Sequence, residues 1–253
     1  MRQGEERVKE LMANAAVVLV RPKFAENIGS AARVAMNMGV GQLLVVADAS
    51  PDQERMLRLA THNARHLVEP LCLFGSLDEA LAPFAWVVGT SARHGRKRAT
   101  VKGHHQLLAE AVPRLAANRV ALLFGPEDSG LTSEDLRRCH QVVTIPTVDF
   151  SSLNLAQAVA ILCHELHSAV IDTVLEGVPV EGPRHADQAE LAAMYGHLRE
   201  ALSAIGFLKG GNDDYWMQGI RQFFGRVGMR AREIRIVRGI CRQILWRQGR
   251  RGQ

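Results

Sequence analysis

Four short stretches hold the residues whose types and spacing could do chemistry. Asn27 and Arg33 bracket a run of mostly small residues, Ile28-Gly29-Ser30-Ala31-Ala32. Gly125-Pro126-Glu127-Asp128-Ser129-Gly130 follows the apolar run 120–124. Asp149-Phe150-Ser151-Ser152 comes shortly after a second apolar run, 142–145, that stops at Pro146. Arg93, Arg96, Lys97, Arg98 and Lys102 crowd a Gly-containing loop, with no acid between residues 93 and 109. Loops built from Gly, Pro and small hydroxyl residues let backbone N–H and C=O groups come close to a ligand. Arg33 has two readings: a surface ion pair, or a guanidinium fork in a crevice that holds a phosphate. The basic loop follows a strand end, where it suits a phosphate backbone better than a merely solvated surface.

Other chemistries lack their residues. No GxGxxG follows a strand and no GxxxxGK[ST] is present, so the common nucleotide loops are absent. Cys72, Cys139, Cys163 and Cys241 are scattered without a CxxC pair, which argues against a zinc cage and a disulfide framework. His62 and His66 lie four apart in a helical pattern but have no third ligand. Cys163-His164-Glu165-Leu166-His167 places its two His three apart, where a zinc-protease helix needs four. No metal is expected.

The elements that must position these loops alternate in type. A short polar helix precedes a buried strand over 16–20, and the helix that follows ends at Gly39. Strands are predicted over 43–47, 71–74, 86–89, 120–124 and 142–145. Helices are predicted over 57–67, after Ser76 with its capping-box spacing to Glu79, over 104–116 and from Asn154 to about Glu176. Ser151 and Ser152 are further N-cap candidates for the last of these. Near-continuous apolar strands alternating with helices predict an α/β fold with a parallel sheet, whose ligands sit beyond the carboxyl ends of the strands. Gly177 to Pro183 reads as a linker, and three helices follow, over 186–205, 215–224 and 231–246. In the last, Ile234, Val237, Cys241 and Ile244 share one side, while Arg235, Arg238 and Arg242 follow a helical spacing on another.

The 253 residues suffice for one large domain with an appendage, and 47% hydrophobic with 23% charged residues is the composition of a globular protein. No uninterrupted apolar run approaches a membrane span and the first residues lack a signal-peptide core, so a cytoplasmic protein with no membrane partner is expected. The net charge of +5 hides an asymmetry: residues 199–253 hold twelve Lys/Arg against four Asp/Glu. A basic tail on a slightly acidic body points to a polyanion such as nucleic acid, or to a tail that only solubilises.

Three segments in order are specific. Asn27-Ile28-Gly29-Ser30-Ala31-Ala32-Arg33, Leu123-Phe124-Gly125-Pro126-Glu127-Asp128-Ser129-Gly130-Leu131 and Ser152-Leu153-Asn154-Leu155-Ala156-Gln157-Ala158 resemble the three motifs of the SPOUT superfamily of RNA methyltransferases, in its TrmH-like branch. Gly89-Thr90-Ser91-Ala92-Arg93, Met36-Asn37-Met38-Gly39 and the basic C-terminal helices resemble the TrmJ group within it.

That resemblance implies a parallel-sheet SPOUT fold with a C-terminal trefoil knot over residues 1–176, a linker over 177–186, and a basic helical extension over 187–253. It implies S-adenosylmethionine bound by Thr90, Ser91, Ala92, Gly125, Ile145, Ser152, Leu153 and Asn154. It implies a homodimer that methylates the ribose 2′-oxygen of nucleotide 32, a cytidine or uridine, in the tRNA anticodon loop. Arg33, Asn27, Glu127 and Ser152 would carry the reaction: Asn27 and Glu127 would orient Arg33 or the substrate, and Ser152 would bind a phosphate or the hydroxyl. Arg93, Arg96, Lys97, Arg98, Arg235, Arg238 and Arg242 would hold RNA. Alternatives are ribosomal RNA or another tRNA position as substrate, or an RNA-binding module that has lost activity.

Overall fold

The computed structural model describes residues 2–69, 71–91, 103–148 and 153–251, and it divides into two compact units, Met1–Gly182 and Pro183–Gln253. In the first unit, helix α1 (Arg2–Met12) leads to β1 (Ala15–Val20), α2 (Ala25–Asn37), β2 (Gln42–Val46), α3 (Gln53–Val68), β3 (Cys72–Phe74), α4 (Leu77–Leu81) and β4 (Trp86–Thr90). The chain continues through α5 (His104–Ala109), α6 (Val112–Leu115), β5 (Val120–Phe124), α7 (Ser133–Arg137), β6 (Gln141–Val143) and α8 (Leu155–Leu175). All six strands are parallel, in the order β3-β2-β1-β5-β4-β6.

Both faces of the sheet are apolar, as the unbroken runs of Val, Leu and Ala require. Val17, Leu19, Val45, Val88, Leu122 and Phe124 point into a large core shared with α2, α3, α5 and α8. Their neighbours Val18, Val20, Val87, Ala121 and Leu123 point the other way, onto α4 and Phe84. The two-residue period of a strand thus sorts one apolar run into two cores. Helix α8 is the one described helix long and apolar enough to cross a membrane, and its Val159, Leu162, Cys163, Leu166 and Val170 lie in the larger core with no exposed surface.

Sequence signals explain most ends. Gly39, at φ 69°, closes α2, and Asn154 caps α8. The small residues of α2 serve packing: a Cβ on Gly29 would stand 2.0 Å from the Met56 carbonyl oxygen of α3. The helix expected over 104–116 is instead two, α5 and α6. Pro113 has no amide hydrogen for the bond a continuous helix needs there, and it sits in the first turn of α6. The last strand also ends earlier than expected, at Val143.

The second unit holds α9 (Gln188–Ala204), α10 (Asp213–Val227) and α11 (Ala231–Arg251) around Met194, Tyr195, Leu208, Met217 and Ile234. Asp187 and Glu190 form a reciprocal cap that starts α9. Gly228, at φ 63°, ends α10, and the Ala186 N–H donates to the Met229 carbonyl at 2.9 Å.

Candidate active site

From β1 the chain runs outward to β2 and β3, while β5, β4 and β6 lie on β1's other side. The carboxyl ends of β1 and β5 therefore flank the point where the order reverses, the usual ligand crevice of an open parallel sheet. The turn out of β1 is tight. Arg21 sits at φ 49° ahead of Pro22, a left-handed conformation that costs about 1–3 kcal/mol without compensation. Here the compensation is visible. The Arg21 N–H donates to the Val46 carbonyl at 2.7 Å, and its guanidinium meets Asp135 at 2.5 Å.

Asp135 also accepts from the Thr132 N–H at 2.9 Å and the Thr132 hydroxyl at 2.8 Å. Burial of Asp135 opposes its ionisation, but these bonds and the Arg21 guanidinium outweigh it and hold the carboxyl below the usual carboxylate range. Neither residue was singled out from the sequence. The signal for Asp135 was present, because Thr132 and Asp135 have capping-box spacing.

Across the crevice a chain of hydrogen bonds joins the three motif segments. The Lys23 N–H donates to Glu127 Oε2 at 2.9 Å, and Asn27 Nδ2 donates to Glu127 Oε1 at 2.6 Å. Asn154 Nδ2 donates to Asn27 Oδ1 at 3.0 Å, and Asn154 Oδ1 accepts from the Ala156 N–H at 2.9 Å. The Asn154 N–H in turn donates to Gln157 Oε1 at 3.1 Å. Asn27 is 9% exposed and both ends of its amide are engaged. Such a network ties the turn after β1, the loop after β5 and the start of α8 into one rigid frame. Lys23 Nζ adds a second tie to Asp128 at 2.5 Å, between two half-exposed side chains.

Asn27 is thus bonded to both Glu127 and Asn154, and among the described residues neither Asn27 nor Glu127 is bonded to Arg33. Arg33 lies six positions after Asn27, which places them about 120° apart around α2. Arg33 is exposed and makes no hydrogen bond or ion pair among the described residues. Its fork is available to a ligand. Ser152, expected beside it, lies outside the described residues.

Of the expected cofactor residues, Thr90, Ser91, Gly125 and Ile145 lie at or just past the carboxyl ends of three adjacent strands, β5, β4 and β6, while Leu153 and Asn154 lie at the start of α8. Thr90 Oγ1 donates to the Leu123 carbonyl at 3.1 Å, and the Ser91 N–H donates to the Val143 carbonyl at 3.0 Å. These bonds tie the three strand ends together. Gly125 begins a loop folded back on itself: a Cβ there would lie 2.3 Å from the Gly130 carbonyl carbon and the Leu131 nitrogen. Thr90, Ser91, Gly125, Ile145, Leu153 and Asn154 combine hydroxyls, peptide groups and two apolar side chains, with no formal charge. That lining, with no cation to hold a phosphate, fits a neutral, flat, partly apolar group better than it fits a nucleotide phosphate. Ala92 lies outside the described residues.

Of the expected RNA contacts, Arg93, Arg96, Lys97 and Arg98 lie outside the described residues. In the second unit Arg235 and Arg242 are exposed on α11. Arg238 is turned aside, its Nε donating to His197 Nδ1 of α9 at 3.3 Å. Beside Arg242, Gly239, Gln243 and Trp246 complete a shallow recess on α11, where Arg250 stacks on the Trp246 ring at 4.6 Å.

Comparison with known proteins agrees with this geometry. Residues 14–164 match the SpoU rRNA Methylase family, and residues 189–253 match the family of the tRNA methyltransferase TrmJ C-terminal domain. The chain is 33% identical over 240 residues to the tRNA (cytidine/uridine-2′-O-)-methyltransferase TrmJ of Escherichia coli K12, covering 92% of this chain and 96% of the relative. The Sodalis glossinidius protein of the same name is 33% identical over 236 residues, with 92% of each covered. Among solved structures, TrmJ from Z. mobilis ZM4 superposes with a TM-score of 0.71 at 30% identity, over 91% of this chain and 98% of that one. A probable methylase family protein from Haemophilus influenzae gives 0.59 at 28% identity, over 92% and 97%.

Proposed function

The chain belongs to the SpoU rRNA methylase family, in its TrmJ group, and from that membership and the crevice at β1 and β5 we propose that it is a tRNA 2′-O-ribose methyltransferase acting on cytidine or uridine. The observation that carries this reading is the hydrogen-bonded frame Glu127–Asn27–Asn154. It brings the three motif segments to one place, with the Arg33 guanidinium, unpaired among the described residues, on the same helix as Asn27. The finer reading is methylation at nucleotide 32 of the anticodon loop by a cytoplasmic homodimer, with a trefoil knot in the C-terminal part of the SPOUT domain. It rests on the resemblance of the motif residues to the TrmJ group.

S-adenosylmethionine, when bound, supplies a methyl group activated by its sulfonium. Thr90, Ser91, Gly125, Ile145, Leu153 and Asn154 would hold it, with Ala92 and Ser152 from segments outside the described residues. The amides of Asn27 and Asn154 are spent on each other and on the helix cap, so they act by fixing the loops. The difficulty that the chain must meet is the ribose hydroxyl, a weak acid. Arg33 offers a fork of N–H donors and no acceptor for that proton. It stabilises negative charge instead, on a neighbouring phosphate or on the oxygen as it loses its proton. Positioning supplies the rest, since an oriented displacement gains several kcal/mol from alignment alone.

The test is methyl transfer from labelled S-adenosylmethionine to bulk tRNA, followed by nucleoside analysis and mapping. A 2′-O-methylated pyrimidine in the anticodon loop is expected. Arg33→Ala should abolish transfer while cofactor affinity stays within about threefold, as for an interaction made mainly in the transition state. A mark elsewhere in tRNA removes nucleotide 32. Transfer to ribosomal RNA alone removes the tRNA assignment, and no transfer to either leaves a binding module.

A further inference from the structure

His104 and His105 open α5, and Glu165 projects from the middle of α8 toward both. His104 Nε2 stands 3.8 Å from Glu165 Oε1, while His105 Nδ1 is in hydrogen-bonding contact with Glu165 Oε2. The two rings lie side by side, 4.2 Å between centroids, and the donor atoms of all three residues fall within 4.8 Å of one another. Successive helical residues do not ordinarily face one target. Here they converge by presenting different ring nitrogens, Nε2 from one and Nδ1 from the other. We propose that His104, His105 and Glu165 form a site for one divalent transition-metal ion of the zinc class, which clasps α5 to α8.

The donor chemistry selects the ion. Two imidazole nitrogens and one carboxylate suit zinc and its borderline neighbours, whereas magnesium and calcium take oxygen ligands. Metal–ligand bonds of about 2.0–2.1 Å in a tetrahedron place donors about 3.3 Å apart, so modest side-chain rotation closes the set. A dication satisfies all three groups at once. The side chains of His104 and Glu165 are 14% and 18% exposed, and that of His105 is 71% exposed, so one flank is shielded and the other leaves room for a water ligand. The ion would pin the start of α5, directly after the basic segment 93–102, to the helix that begins at Asn154. The site stands apart from the proposed reaction, and its test does not depend on methyl transfer.

Untagged full-length protein, stripped with a chelator and desalted, is titrated with Co(II) while its visible d–d absorption is followed, and Zn(II) is then added in competition. One equivalent per chain, displaced by Zn(II), is expected, together with a Zn(II)-dependent rise in melting temperature. His105→Ala, at an exposed position that should not disturb folding, and Glu165→Gln should each weaken Co(II) binding by about tenfold or more and abolish that rise. His164→Ala, exposed on α8 next to Glu165, should change neither. Absence of a saturable band overturns the proposal and leaves the cluster as a hydrogen-bonded contact between α5 and α8. A band that survives both ligand variants, or falls equally with His164→Ala, overturns it by placing the ion elsewhere.

Discussion

Asn27→Asp keeps the shape of the central amide and changes one group, which makes it the sharpest test of the frame that holds the site. In the native protein Asn27 Nδ2 donates to a carboxylate oxygen of Glu127 at 2.6 Å. Losing a hydrogen bond to a charged group costs about 1.5–3 kcal/mol. The replacement also sets two carboxylates against each other in a site where the native residue is 9% exposed. Like charges about 4 Å apart repel by roughly 4 kcal/mol at an effective dielectric near 20, and the pair relieves part of this by keeping one proton. The expected loss in the unfolding free energy of the variant is therefore about 3–5 kcal/mol at pH 8. Its sign with pH follows from linkage. The folded variant holds a proton that its unfolded chain releases, so the deficit shrinks as pH falls toward the ordinary carboxylate range. Asn27→Ala, which adds no charge, should cost about 2 kcal/mol with little pH dependence. Urea unfolding of the three proteins at pH 8 and pH 5.5 decides the matter. A deficit for Asn27→Asp below about 1 kcal/mol at pH 8, or one unchanged at pH 5.5, would refute a buried Asn27–Glu127 bond.

Three further outcomes are expected. Gly29→Ala should destabilise the protein by about 1–3 kcal/mol despite alanine's better helix propensity, because its Cβ would meet the Met56 carbonyl oxygen at 2.0 Å; thermal melting with no loss would mean that α2 and α3 part without cost. Asp135→Asn should cost about 1–3 kcal/mol near neutral pH. The native advantage is fully present above the ordinary carboxylate range and fades as pH falls through the depressed value of Asp135, so acid titrations of the two proteins should converge. Arg235→Ala and Arg242→Ala should each weaken tRNA binding across sequences and reduce the slope of log affinity against log salt by about one, whereas Arg238→Ala, whose side chain is engaged by His197, should act mainly on stability.

Local chemistry was legible wherever a residue acts within its own turn of chain. Gly39 ends α2, a helix starts at Asn154, although Asn154 itself is the cap and not Ser151 or Ser152, and the unbroken apolar runs are buried parallel strands, each because the cause lies within four residues of the effect. Pro113 could have been read the same way, and its missing amide explains the break between α5 and α6. The expectation of a site in loops at strand ends, with an arginine on α2, also came from residue types and motif order.

Partnership across the chain was decided by tertiary structure. Residue spacing says nothing of a strand order in which β5 lies between β1 and β4, yet that order places Glu127 against Asn27 and opens the crevice between β1 and β5. It is also why Asn27 serves the frame while Arg33, among the described residues, does not; in the second unit the packing of α9 and α11 turns Arg238 out of the arginine stripe toward His197. The cluster of His104, His105 and Glu165 joins two helices whose ligands no local spacing connects. A sequence determines propensities and burial patterns directly, because these depend on neighbours along the chain; which distant groups meet depends on how the layers pack, and packing is settled only by the fold as a whole.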